Sequence, residues 1–370
     1  MPRYQGQSGF RHGETAAAAV LLVNLGTPAA PTKRAVRRYL AQFLADPRIV
    51  ELSRWAWWPI LHGVILRLRP ARSVELYRHI WTEQGSPLAV GMAALTTRLE
   101  AALRAQRSGP ILVRHAMRYG GPAIDTVMRE LAQAGARRLL VLPLFPQYSG
   151  TTTGSAMDAV GAELATWRWL PDLRFVAGYH AAPRYIEALA RSVEAHWQRH
   201  GRAQKLVVSF HGTPEAYLKR GDPYYCQCQE TARRLRERLG LDQAGMIVSF
   251  QSRVGRGRWL GPATDATLAD LPHDGVRHVQ VLCPGFAVDC LETLEEIALS
   301  NHARFLHAGG ERLEYIPALN DGADHVAALV DLILRNSGGW PEFAADWDGA
   351  AAAAQARAAR TRHEQLRDGR

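Results

Sequence analysis

Three stretches of this chain occur twice and in the same order, and that repeat limits the fold more than any other feature. Leu21-Leu22-Val23-Asn24-Leu25-Gly26-Thr27-Pro28 is echoed by Leu206-Val207-Val208-Ser209-Phe210-His211-Gly212-Thr213-Pro214. Residues 111–118 and 246–253 each run from a β-branched stretch into a basic, Gly-containing loop, and 135–142 is echoed by 275–282. Candidate strands lie at 19–24, 111–115, 138–143, 206–210, 246–250 and 278–283. Candidate helices lie at 92–106, 123–134, 155–167, 183–200, 224–239, 291–308 and 322–335. Strands alternating with amphipathic helices argue for parallel sheets covered on both faces. The expected architecture is α/β: two similar Rossmann-like doubly wound domains with parallel sheets and a cleft between them. Residues 17–180 plus 322–338 would form the first domain and 181–321 the second. The polar stretch 1–16 and the Ala/Arg-rich stretch 339–370 read as flexible tails.

A chain of 370 residues is long enough for two domains whose cores need no staple. Cys226, Cys228, Cys283 and Cys290 are too few for a disulfide scaffold and fit a reducing, cytoplasmic compartment. No apolar run reaches the ~18 residues of a membrane span, and the N-terminus lacks the apolar segment of a signal peptide. Of the formal charge of +10, +3 sits in the last twenty residues. The rest is nearly all arginine and forms no cluster with interleaved aromatics, so no nucleic-acid partner is expected. Arginines at a pocket mouth would instead suit carboxylate groups, which the guanidinium fork grips in a bidentate way.

Familiar cofactor loops fail inspection. Gly255 to Gly261 has one residue too many for G-x-G-x-x-G, and Ser149 to Ser155 lacks the Gly-Lys-Ser/Thr ending of a P-loop. His211 is more informative. It follows the apolar run 207–210 and precedes a Gly-Thr-Pro turn, which puts an imidazole at a strand's C-terminal end, where doubly wound sheets bind ligands. A neutral imidazole there can ligate a metal or accept a proton, and a purely structural histidine is the commoner alternative. If a helix begins near Asp289, then Asp289, Glu292 and Glu296 share one face. Such a face is either a solvated acidic first turn or a path for cations and released protons. The four cysteines lack zinc or iron–sulfur spacing. Residues 55–66, with Trp55, Trp57 and Trp58 and then Arg67, Arg69 and Arg72, read as core, as a lip over a flat apolar ligand, or as a shallow membrane contact.

Taken together, these motifs closely resemble the ferrochelatase family over most of residues 19–336. The resemblance is carried by Val23 to Pro28, Met117-Arg118-Tyr119, Phe145-Pro146-Gln147-Tyr148-Ser149, Thr152 to Ser155 and Ser209-Phe210-His211. It continues through Arg220 to Tyr224, Phe250 to Gly255, Trp259 to Pro262 and Phe286 to Glu296. It implies insertion of ferrous iron into protoporphyrin IX to form protohaem, the terminal step of haem synthesis. His211 then falls on the family's metal-site and proton-accepting histidine, and Glu292 on its partner carboxylate. Asp289 and Glu296 match the acidic face beside them. Leu25, Arg118, Tyr119, Tyr148, Trp259 and Phe286 match pocket positions around the macrocycle. Cys290 stands where relatives have histidine, and Gly150 where some have a cysteine ligand, so no iron–sulfur cluster and no tightly bound cofactor is expected. The expected partners are protoporphyrin IX and ferrous iron, with peripheral contact to the inner membrane. A cobalt or nickel chelatase for a related tetrapyrrole, or a bilobal porphyrin or haem binder without turnover, is the alternative.

Overall fold

A computed structural model describes residues 4–6, 10, 12–253 and 257–369. Its frame is two four-stranded parallel sheets. The first contains β1 (Ala17–Thr27), β2 (Ile111–Gly120), β3 (Ala136–Pro143) and β4 (Asp172–Phe175), in the order β2-β1-β3-β4. The second contains β5 (Lys205–His211), β6 (Met246–Gln251), β7 (His278–Leu282) and β8 (Arg312–Ile316), in the order β6-β5-β7-β8. Every pairing is parallel, and the two orders are the same when counted from each sheet's first strand. The sequence echo is therefore a structural repeat, with β1 and β5 as the equivalent inner strands.

Alternation along the strands distributes the core. Ala18, Val20 and Leu22 of β1 share one apolar cluster with Leu206, Val208 and Phe210 of β5, while Ala19, Leu21 and Val23 belong to a second. Four helices join the sheets within the shared cluster: Pro87–Arg104, Pro183–His200, Tyr224–Arg238 and Ala323–Asn336. The last of these packs on both the first and the second. A smaller layer of Lys33–Ala45, Arg54–Ile60 and Leu66–Ile80 buries Tyr39, Trp57 and Tyr77 above the end of β2.

Several expectations need correction. β4 and β8 were not among the candidate strands, because these short edge strands (DLRF and RLEYI) carry charges and lack an apolar run. Residues 339–343 are no flexible tail. Trp340, Glu342 and Phe343 are buried, Arg138 pairs with Glu342 at 2.5 Å, and Trp340 donates its indole N–H to Asp172 at 2.7 Å. Residues Gly349–Arg367 form an exposed helix, capped by Asp348 and touching the N-terminal segment through Arg360 and the stacked rings of His12 and His363. The loop motif around Gly255 falls partly outside the described residues.

Candidate active site at the strand ends

His211 is the last residue of β5. Its Nδ1 lies 2.6 Å from the Gly212 carbonyl, a contact only an N–H can make, so that nitrogen carries a proton, and in the neutral ring Nε2 holds the lone pair. Gly212 is needed by close approach. A Cβ there would lie 2.8 Å from the Gln251 carbonyl and 3.4 Å from the Trp259 ring, which places Trp259 against the turn that follows His211. Phe286 stands on another side, its ring 6.5 Å from the imidazole. The apolar strand drives the backbone into the core, and the turn leaves the imidazole half-buried at its rim.

The acidic helix differs from its sequence reading. Cys290 caps it, and the α-helix spans only Leu291–Leu294 before widening into a π-helix over Glu296–Asn301. Asp289 lies outside the helix and is not part of an acidic face. Its carboxylate accepts from Thr293, Tyr315 and Asn320, which makes it an anchor. Glu296 instead accepts the Ser252 amide at 2.7 Å and the Ser252 hydroxyl. Burial raises its pKa, and the Ser252 bonds and the charge of His211 oppose that rise. Glu292 is tied through its backbone, whose carbonyl accepts the Gln251 amide at 2.7 Å, and Gln251 is the β6 residue in register with His211. Tyr39 and Tyr77 face it from across the site, their hydroxyl pKa values raised first by burial and then in part by the Glu292 charge. The wide π-turn matters here, because such turns re-aim side chains at functional sites.

The facing wall comes from the first sheet. Gly26, at φ +113°, lies so close to β2 that a Cβ would sit 1.8 Å from the Tyr119 carbonyl, and Leu25 beside it packs on the Tyr39–Trp57–Tyr77 layer. Arg118 and Tyr119 are committed to a buried network. Arg118 Nη2 reaches Asp46 at 2.5 Å, and the Tyr119 and Ser155 hydroxyls bind the same carboxylate oxygen at 2.8 and 2.6 Å. Tyr119 is 2% exposed, and a ligand carboxylate arriving at Arg118 would have to compete with Asp46. Tyr148 points back toward Arg48 and Gly154 on the π-helical turn Gly150–Gly154.

The sequence reading gave no role to Gln251, Ser252 or Asn320, and it left Arg69 and Arg72 in a general basic stretch. Arg69 sits near Tyr39 and Tyr77 with Arg72 beside it and no carboxylate partner among the described residues. A polar pair directly after a buried strand, as in Gln251-Ser252, is the same signal that singled out His211. Nothing local marks the other three. Among the described residues no three of His, Cys, Asp and Glu are gathered so as to hold a metal ion. Cys228, Cys283 and Cys290 are buried and Cys226 is exposed.

Comparison with known proteins bears on the fold and the family. The protein named SirB from Bacillus subtilis, solved with Fe3+, superposes with a TM-score of 0.50 at 13% identity, covering 90% of this chain and all of that one, which supports the fold. Ferrochelatase of Thioalkalivibrio sulfidiphilus is 52% identical over 360 residues, covering 97% of this chain and 98% of its own. Ferrochelatase of Methylibium petroleiphilum is 54% identical over 350 residues, covering 95% and 96%. The family model described as Ferrochelatase matches residues 17–337, and with it the chain belongs to the ferrochelatase family.

Proposed function

We propose that this chain inserts ferrous iron into protoporphyrin IX, with His211 as the group that accepts a pyrrole proton. The observation carrying this reading is the contact of His211 Nδ1 with the Gly212 carbonyl, which in the neutral ring leaves Nε2 as the acceptor. A free-base porphyrin carries two N–H protons that must leave as iron enters. Each N–H bond breaks with its electron pair staying on the ring nitrogen, where it binds iron, and the proton goes to a base. His211 takes the proton at Nε2, and the neighbouring Glu292 and Glu296 carboxylates offer it a way onward and attract the iron substrate. Phe286, Trp259 and Leu25 form apolar walls for the flat ring, and Tyr148 borders it. Arg69 and Arg72, which have no carboxylate partner among the described residues, suit its propionates, with Arg118 and Tyr119 holding the wall behind. Binding energy from these remote contacts bends the ring and bares its lone pairs.

Anaerobic mixing of the protein with protoporphyrin and ferrous iron, followed by absorbance, tests the reading. Many turnovers per chain are expected, and His211→Ala should abolish insertion while still binding porphyrin. A stoichiometric spectral change without turnover would identify a binder, and turnover with cobalt or nickel but not iron a different chelatase.

The same reading includes peripheral attachment to the inner face of the membrane. Trp55 is 92% and Leu68 71% exposed, and Trp58 and Val64 lie on the same short helical layer with Arg54 and Arg67. Apolar side chains flanked by cations suit an anionic lipid surface. Among the described residues no helix is long and apolar enough to cross a membrane. Gly150, where some relatives have a cysteine ligand, supports a chain that works without an iron–sulfur cluster.

A further inference from the structure

We propose that Asn320 is a positioning residue for Glu292, acting through a latch on the segment that starts the acidic helix. This rests on the reading of Glu292 as a site carboxylate. Asn320 lies in the strap between β8 and the helix Ala323–Asn336, far in sequence from His211, and takes a left-handed φ of +47°. Asparagine tolerates that conformation where most residues do not. All four of its polar groups are engaged. The side-chain oxygen accepts the Asp289 amide at 2.9 Å, and the side-chain nitrogen donates to the Asp289 carboxylate at 2.7 Å. The backbone N–H donates to the Ala287 carbonyl at 3.0 Å, and the backbone carbonyl accepts from His325 Nδ1 on the buried helix.

Asn320 thus grips residues 287 and 289 at three points while its own carbonyl is tied to the core. Asp289 passes the restraint on, since its other oxygen accepts from Thr293 and from the Tyr315 hydroxyl at 2.6 Å. Thr293 in turn closes the Cys290 cap, and Glu292 lies between these two points. The α-helical part is only four residues long before the π-turn, so its direction is set by what holds its first residue and by little of its own. The Gln251 amide fixes the Glu292 backbone from β6, and the Asn320 latch fixes the segment that leads into it. A backbone held at both these points limits where the Glu292 carboxylate can lie relative to β5, and a shift of ~1 Å in a reacting group can cost ~100-fold in rate.

The test is steady-state iron insertion with Asn320→Gly, which keeps the left-handed backbone open and removes only the side-chain contacts. We expect kcat to fall roughly 10- to 30-fold while the porphyrin dissociation constant, from fluorescence quenching, stays within about threefold. In a Glu292→Gln background the same substitution should change kcat by less than about twofold, because the residue it positions is already disabled. Tyr315→Phe removes one hydroxyl from the same latch, and should lower kcat about 3- to 10-fold in the same pattern, which decides the matter if Asn320→Gly fails to fold. Wild-type kcat in both latch variants, or equal losses with and without Glu292→Gln, would overturn the proposal. A fully active Glu292→Gln would instead overturn the site reading, and that variant leaves the latch untouched.

Discussion

Asp46 is the sharpest place to test how the first sheet's end is held together. Its side chain is nearly inaccessible and receives four donors: the Arg48 amide, the Tyr119 and Ser155 hydroxyls, and Arg118 at 2.5 Å. Burial works to raise its pKa, and the hydrogen bonds from Ser155, Arg48 and Tyr119 with the Arg118 charge outweigh it, so the carboxyl lies below its ordinary value. Asp46→Asn keeps the shape and removes the charge. The two hydroxyls can rotate to accept from the new amide, but Arg118 cannot and is left largely buried without a counter-charge. Breaking a buried pair costs about 3–5 kcal/mol. Arg118 keeps roughly a fifth of its side chain in water, which lowers the expectation to about 2–4 kcal/mol. Urea unfolding at pH 7 should show that loss as a lower midpoint with an unchanged slope. Because the folded pKa is depressed, the wild type's advantage is present above the unfolded value of ~3.9 and disappears as pH falls through the folded one. Asp46→Asn/Arg118→Met should recover more than half of the loss, since no charge is then stranded. A single variant within ~0.5 kcal/mol of wild type, or a double variant as weak as the single, would refute the argument.

Three further outcomes follow from other sites. Burial lowers His325 from 6.5 to about 4, so the unfolded chain takes up a proton that the folded chain refuses. Stability should fall by up to about 3 kcal/mol as pH drops from ~6.5 to 4, and parallel urea profiles for wild type and His325→Gln over that window would contradict this. Trp55→Ser/Trp58→Ser should reduce co-sedimentation with anionic vesicles at unchanged melting temperature. Trp57→Ala, which empties a buried site and frees the Leu44 carbonyl, should cost about 3–5 kcal/mol, and equal stability of the two variants would contradict the division of this segment. Anaerobically purified protein should contain no acid-labile sulfide, and a stoichiometric signal would show that its cysteines serve as cluster ligands.

The repeat, the inner strands and His211 were legible in the sequence because each is encoded locally. A β-branched run followed by Gly-Thr-Pro specifies a buried strand and a tight exit wherever it occurs, and three such landmarks in order specify two similar sheets. The edge strands β4 and β8 were not legible, because pairing to one neighbour needs no apolar run. The acidic stretch was read on an ideal α-helical face starting at Asp289. The chain instead caps at Cys290 and widens into a π-turn, since Asp289 has better partners in Tyr315 and Asn320 than in its own helix.

Sequence alone thus determined the inner strands and the strand end that presents an imidazole, which follow from periodicity and turn chemistry over a few residues, and the family, which follows from the resemblance of its motifs. Tertiary structure alone decided which charged groups are free and which are bound. Asp46 meets Arg118 and Ser155 across separations of 72 and 109 residues, Asp289 meets Asn320 across 31, and Arg69 finds no carboxylate among the described residues. A side chain's charge is written in its residue type, but its availability depends on whether the fold brings an opposite group within hydrogen-bonding reach away from water, and no local pattern carries that information.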